Sequence, residues 1–219
     1  MKFGKIINYR RFYMKGDAKI GTEHYYSNKP TSTHDYRQLE VRIRNVDLKL
    51  ITDAGIFSKN RLDPGTKLLI ESLPLSTDLK EVFDLGCGYG PIGLTVAKLL
   101  PESTVYMSDI NERAVELGIK NAQLNGITNV VIKPGDGFEA FSGQKFDMII
   151  TNPPIRAGKQ VMYGLIDQAY EALHNDGWLV LVIKTKHGAK SMEAKLNLVF
   201  KKVIELEKGS GYRVYGSRK

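Results

Sequence analysis

The chain of 219 residues is poor in the features that would place it outside an ordinary folded domain. It holds one cysteine, Cys87, which excludes an intrachain disulfide and a multi-cysteine zinc site. No apolar run approaches the roughly 18 to 20 residues that a membrane helix needs. The opening MKFGKIINYRRFYMKG is broken by Arg10, Arg11 and Lys15, so it lacks the apolar centre of a secretory signal. There is no internal repeat, low-complexity tract or long linker. Hydrophobic residues make up 42% and charged residues 26%, the balance of a globular protein rather than a disordered one. These absences give the expectation of a cytoplasmic protein with no membrane contact.

Charge is present but unevenly placed. Residues 1–50 carry 11 Lys/Arg against 5 Asp/Glu, residues 51–183 carry 11 against 16, and residues 184–219 carry 10 against 3. An acidic middle between basic ends describes a folded body whose ends meet a polyanion. Seven of the 20 aromatics lie in residues 1–36: Phe3, Tyr9, Phe12, Tyr13, Tyr25, Tyr26 and Tyr36. Basic residues interleaved with rings hold phosphates and stack unpaired bases. A solvated basic surface with rings packed on the core is the plainer alternative.

Residues 39–44 and 46–51 alternate apolar and charged positions, the period of half-exposed strands, and Arg44-Asn45 predicts a hairpin turn between them. Asp63-Pro64 predicts a helix start, ending before Pro74. From residue 80 strands alternate with helices. Strands are expected at 81–86, 104–109, 129–134, 145–152 and 178–184, and helices at 91–100, after Asn111, at 159–173 and at 188–198. A closing hairpin is expected from 199–207 and 212–217. This alternation predicts an α/β, Rossmann-like parallel sheet with helices on both faces. The expected division is a basic, aromatic arm with a small hairpin at residues 1–60 and a catalytic domain at 61–219. Ligands of such sheets sit at the carboxyl ends of the strands, so those ends matter most.

The first of these strands ends in Asp84-Leu85-Gly86-Cys87-Gly88-Tyr89-Gly90-Pro91. Alternate glycines turn the backbone sharply and admit a ligand, and the turn opens a helix whose free N–H groups attract an anion. A dinucleotide fingerprint would need glycine at 91, where this chain has proline. Asp84, facing the ligand, favours an ammonium and repels a pyrophosphate. An amine, a carboxylate and no phosphate describe the methionine part of S-adenosylmethionine. Asp109, with Ile110 beside it, ends the second strand, placed to accept from ribose hydroxyls. Asp136-Gly137-Phe138 follows the third, with Asp136 facing the adenine amine and Phe138 along the ring. Cys87 fits as a small packing residue of the turn. The fourth strand runs into Asn152-Pro153-Pro154-Ile155. Two prolines stiffen that turn, and Asn152 with nearby carbonyls accepts hydrogen bonds from an exocyclic amine. No metal and no covalent nucleophile is needed.

The pairing of DLGCGYGPIG with TNPPI resembles class I S-adenosylmethionine-dependent methyltransferases that act on amino groups. GIFSKNRLDPGTKLLIE (55–71), NPPIRAGK (152–159) and the ending GYRVYGS narrow the resemblance to the small-subunit ribosomal RNA guanine-N2 methyltransferases, over residues 23–217. The resemblance implies a seven-stranded sheet with the last strand antiparallel. It implies that Asp84, Gly86 and Gly88 hold the methionine moiety, Asp109 the ribose, Asp136 the adenine and Asn152 the target amine. Phe57 and Thr66 look like part of a lid. Ile155 stands where these enzymes often carry an aromatic that stacks on the base; a tyrosine of the arm is the candidate substitute. The implied partner is ribosomal RNA or an assembling small subunit. Arg156, Lys159, Lys184 and Lys186 are candidate phosphate contacts, while His24, His34, His174 and His187 read as scattered surface or core residues. A protein-glutamine or adenine methyltransferase, and a non-catalytic RNA-binding module on the same fold, remain as rival readings. The oligomeric state is left open.

Overall fold

The computed structural model describes residues 32–154 and 158–219. The expected basic arm up to residue 31, with His24 in it, and Ile155 and Arg156 lie outside the described residues. Two strands, β1 (Arg37–Ile43) and β2 (Val46–Thr52), form a hairpin. Its turn places Arg44 and Asn45 at φ 49° and 64°, the doubly left-handed geometry that matches the twist of a two-residue hairpin. There follow α1 (Pro64–Ser72), β3 (Glu81–Leu85), α2 (Pro91–Leu99), β4 (Thr104–Asp109), α3 (Glu112–Leu124), β5 (Val130–Pro134) and β6 (Phe146–Thr151). The chain closes with α4 (Lys159–Ala172), β7 (Leu173–Lys184), α5 (Ala189–Val199), β8 (Lys202–Gly209) and β9 (Tyr212–Arg218).

The large sheet has seven strands in the order β5-β4-β3-β6-β7-β9-β8. All neighbours are parallel except at β9, which runs antiparallel to both β7 and β8. This is the expected Rossmann-like sheet with an antiparallel last strand. Its order reverses direction between β3 and β6, so a crevice opens where Leu85 and Thr151 end their strands.

The two-residue period of the strands divides the core in two. Val82, Val105, Met107, Met148, Ile150, Val180 and Val214 face α1–α3 and the hairpin. Phe83, Leu85, Ile149, Leu179, Leu181 and Tyr215 face α4 and α5. Burial on both faces is why these strands read as nearly unbroken apolar runs. Ile43, Val46, Leu48 and Leu50 bring the hairpin into the first of these cores. Its edge is covered by two asparagines of α3. Asn121 accepts from Ile51 N (2.6 Å) and donates to Ile51 O (3.0 Å), and Asn125 does the same with Lys49 (2.9 and 2.8 Å). Side-chain amides thus take the place of a further strand.

Two boundaries differ from expectation by three residues or more: β8 starts at Lys202 rather than 199, because Val199 still belongs to α5, and β7 starts early. β7 starts at Leu173, five residues before Trp178, because Leu173 already pairs with Phe146. The Asn-Asp-Gly turn signal survives as a bulge within the strand, with Asp176 at φ 65°.

Candidate active site

A cavity of about 560 Å³ opens at the carboxyl ends of β3, β4, β5 and β6, within the size range of small-molecule sites. Its floor is the turn from β3 into α2. Gly86 and Gly88 sit at φ 75° and 56°, and a Cβ at either would project into open space. The bare backbone here is therefore surface that a ligand can approach closely. The expectation that the N–H groups of this turn are free for an anion is corrected at four of them. Gly86 N and Cys87 N donate to Ser108 O (2.9 and 2.8 Å), Gly88 N to Asp109 Oδ2 (2.8 Å) and Gly90 N to Cys87 O (3.0 Å). The turn uses these amides to hold its own shape. Cys87 is buried, and burial pushes its thiol well above the usual range, in keeping with a packing role.

Asp84 lies beneath this turn and not on the cavity wall, contrary to the expectation that it faces the ligand. The strand period directs its side chain toward α2, where Oδ2 accepts from Gly93 N at 2.8 Å. A carboxylate is stabilised at that helix start by the backbone dipole. Its Oδ1 is buried with no partner among the described residues, and burial raises the pKa from 3.8 to about 7.

Asp109 and Ile110 line the cavity. Asp109 Oδ1 accepts from Asn111 N (2.9 Å) and Oδ2 from Gly88 N, leaving each oxygen one lone pair for a hydroxyl. Burial raises its pKa as well. Asn111 caps α3 through Ala114 N and donates to Gly55 O (3.1 Å), which ties the 55–57 loop over the cavity; Phe57 of that loop is half-exposed on the wall. Asp136 and Gly137 lie on the wall after β5. Phe138 does not: its ring packs edge-on against Phe83, with centroids 5.5 Å apart, inside an aromatic cluster. Burial against other rings outweighs exposure at the rim, and Leu165 of α4 supplies the apolar wall there instead.

At the other end stand Asn152, Pro153 and Pro154, directly after β6. Asn152 Nδ2 donates to Thr66 Oγ1 (2.9 Å) and to Asp63 Oδ2 (3.3 Å). Asp63 caps α1 by accepting from Thr66 N (2.9 Å), and its Oδ1 accepts from the Tyr212 hydroxyl (3.2 Å). Gly65 makes this approach possible, since a Cβ there would lie 2.5 Å from the Tyr212 ring. Burial, with the Asp63 charge next to it, pushes Tyr212 up to about 12, so its hydroxyl remains a donor. Tyr89, whose buried hydroxyl has no partner among the described residues, is pushed up for the same two reasons.

Sequence reasoning placed Thr66 and Phe57 here but read Asp63 only as a helix cap, and missed Tyr212 and Tyr89. Lys184 reaches the cavity with its Nζ 5.5 Å from the centre of the Tyr212 ring. Lys186 and Lys159 are exposed, Lys159 over Tyr163. His187 also lines the cavity, although it read as a scattered residue. His34 pairs with buried Asp53 (2.5 Å) and His174 lies 3.5 Å from Glu81. Among the described residues no cluster of metal-ligating side chains occurs, and no helix is long and apolar enough to cross a membrane.

Fold and cavity together define a class I S-adenosylmethionine-dependent methyltransferase. Residues 47–216 match the methyltransferase small domain, and the chain belongs to that family. It is 43% identical over 199 residues to the uncharacterized protein YbxB of Bacillus subtilis (strain 168), covering 90% of this chain and 99% of that one. It is 30% identical over 201 residues to ribosomal RNA small subunit methyltransferase C of Pseudoalteromonas atlantica, covering 88% of this chain and 57% of that protein. The fold is similar to RsmC, the T. thermophilus 16S rRNA N2 methyltransferase solved with AdoMet and guanosine. There the TM-score is 0.76 at 26% identity, over 87% of this chain and 52% of that chain. The chain thus spans nearly all of the Bacillus protein and about half of these ribosomal RNA methyltransferases. The cofactor is S-adenosylmethionine, and the bare glycine cradle next to the unfilled lone pairs of Asp109 fits it.

Proposed function

We propose that this protein methylates the exocyclic N2 of a guanine in small-subunit ribosomal RNA, free or within an assembling subunit. The observation that carries the reading is the state of Asn152. Its Nδ2 group is committed to Thr66 and Asp63, while its Oδ1 has no partner among the described residues, and Asn152 lines the cavity. An acceptor presented there suits the hydrogens of an exocyclic amine. With a rigid Pro153-Pro154 turn behind it, it orients the nitrogen lone pair.

In this reading Gly86, Cys87 and Gly88 hold the methionine part of the cofactor over Asp84, Asp109 and Ile110 hold the ribose, and Asp136 and Gly137 the adenine. When bound, S-adenosylmethionine supplies an electrophilic methyl group. Asn152 has no accessible pKa, so it positions the amine without taking its proton. The guanine enters out of its stack, because an amine inside a helix cannot reach the cavity. Lys184 at the cavity and the basic ends of the chain hold phosphates.

The test is incubation with labelled cofactor and either bulk RNA or small subunits, followed by mass spectrometry of the nucleosides. Labelled N2-methylguanosine is expected. Label in adenine, in protein glutamine or nowhere would overturn the reading. Separately, RNA affinity should fall log-linearly with salt, and deleting residues 1–22 should flatten the slope while sparing cofactor binding. An unchanged slope would remove the basic start of the chain from the RNA contact.

A further inference from the structure

We infer that Asp63 is a positioning residue that fixes which face of the Asn152 amide meets the substrate. The inference rests on the amino-methyltransferase reading and adds a residue to it. An asparagine amide is nearly symmetric in shape, so its two orientations compete. Only one of them presents an acceptor to an incoming amine.

Thr66 does not decide between them. Its hydroxyl lies 2.9 Å from Asn152 Nδ2, but a hydroxyl donates as readily as it accepts and would serve an amide oxygen equally well. Asp63 does decide. A carboxylate only accepts, so Oδ2 at 3.3 Å tolerates the NH₂ group and opposes the carbonyl.

The rest of the network holds Asp63 to this task. Its Oδ2 is anchored by Thr66 N at the start of α1, and its Oδ1 by the Tyr212 hydroxyl at the start of β9. The carboxylate is nearly buried, and Tyr212 packs over Gly65 beside it. Two segments far apart in the chain thus converge on one oxygen pair, whose remaining contact is the asparagine. Asp63 makes no hydrogen bond to the cofactor cradle or to Asp109, and its one link to that turn is its charge beside the Tyr89 hydroxyl.

Two substitutions separate this role from its rivals. Asp63→Ser keeps a good helix cap but is too short to reach Asn152. Asp63→Asn keeps the cap as well. The need to accept from Thr66 N points its oxygen at that amide, and so also at Asn152. Asp63→Ser should lower kcat on RNA by roughly ten- to a hundredfold, the scale of a misplaced reacting group, with cofactor affinity near wild type and Tm lowered because the buried Tyr212 hydroxyl loses its acceptor. Asp63→Asn should rescue kcat to within about threefold. The side-chain amide signals of Asn152, assigned by their loss in Asn152→Ala, should shift and exchange faster with water in Asp63→Ser but not in Asp63→Asn.

Wild-type activity in Asp63→Ser would reduce Asp63 to a cap. Loss in both variants would mean that its charge, and not its acceptor geometry, matters. Unaltered Asn152 amide signals in Asp63→Ser would overturn the inference whatever the activity. If wild type methylates no guanine, the proposed function fails, while the amide signals still decide the role of Asp63.

Discussion

At the ends of β3 and β4 the cavity wall is backbone held by carboxylates: Asp84 fixes Gly93 N, and Asp109 fixes Gly88 N and Asn111 N. At the end of β6 it is side chain held by side chain, as Asn152 leans on Thr66 and Asp63, and Asp63 on Tyr212. The first arrangement is stiff because backbone amides have nowhere else to point. The second depends on one amide lying the right way round. A cofactor common to a fold can be held by the first kind of wall. An acceptor that differs from enzyme to enzyme is suited to the second, which side-chain substitutions can retune without disturbing the turn.

The largest effect expected from breaking this division is at Asn152. Asn152→Ala should lower kcat by about 10²- to 10³-fold, the scale of removing an oriented polar group from a reacting centre, with cofactor affinity unchanged in calorimetry. Loss of cofactor affinity instead would mean that the two ends are one structure. Next is Asp109→Ala, which removes charge-assisted bonds worth roughly 1.5–3 kcal/mol each. Cofactor affinity should fall at least about tenfold. The Gly88 and Asn111 amides lose their acceptor as well, so Tm should fall with it. Affinity equal to wild type would remove Asp109 from the ribose site.

The last effect is on stability and sharpens the contrast by pH. Burial favours the protonated form of Asp84, so the folded state takes up a proton that the unfolded state releases near pH 3.8. Stability is therefore lost as pH rises from about 4 through about 7, and the cost is complete above that. Asp84→Asn keeps an acceptor for Gly93 N–H and abolishes the titration. Relative to wild type it should gain on the order of 4 kcal/mol at pH 8 and almost nothing at pH 4, measured by denaturant unfolding. A constant difference across that range would show that Asp84 stays charged throughout.

The same division decides what the sequence revealed. The glycine turn, Asp109 and Asp136 each follow a strand within one continuous stretch, so the strand-end rule located them on the cavity. Asn152 was legible because two prolines after an apolar strand are locally unusual. Asp63 was not, since an aspartate before a proline is fully accounted for as a helix cap. Its partners lie 89 and 149 positions away, and only the sheet brings them together. Phe138 was misread because nothing local distinguishes a ring at a rim from one drawn into a cluster with Phe83. The free amides expected in the glycine turn were equally invisible as bonded ones, since Ser108 O lies on another strand.

Asn121 of α3, which covers the edge of the hairpin, also donates to Tyr89 O at 2.8 Å, and Tyr89 belongs to the glycine turn. One side chain therefore clasps the hairpin and the cofactor cradle at once. For anyone exchanging parts between proteins, residues 37–52 are not a removable module. A graft in their place must bring a strand edge whose amide and carbonyl meet Asn121. Without it, a fully buried amide is left without its hairpin contacts and free to release its grip on the cradle.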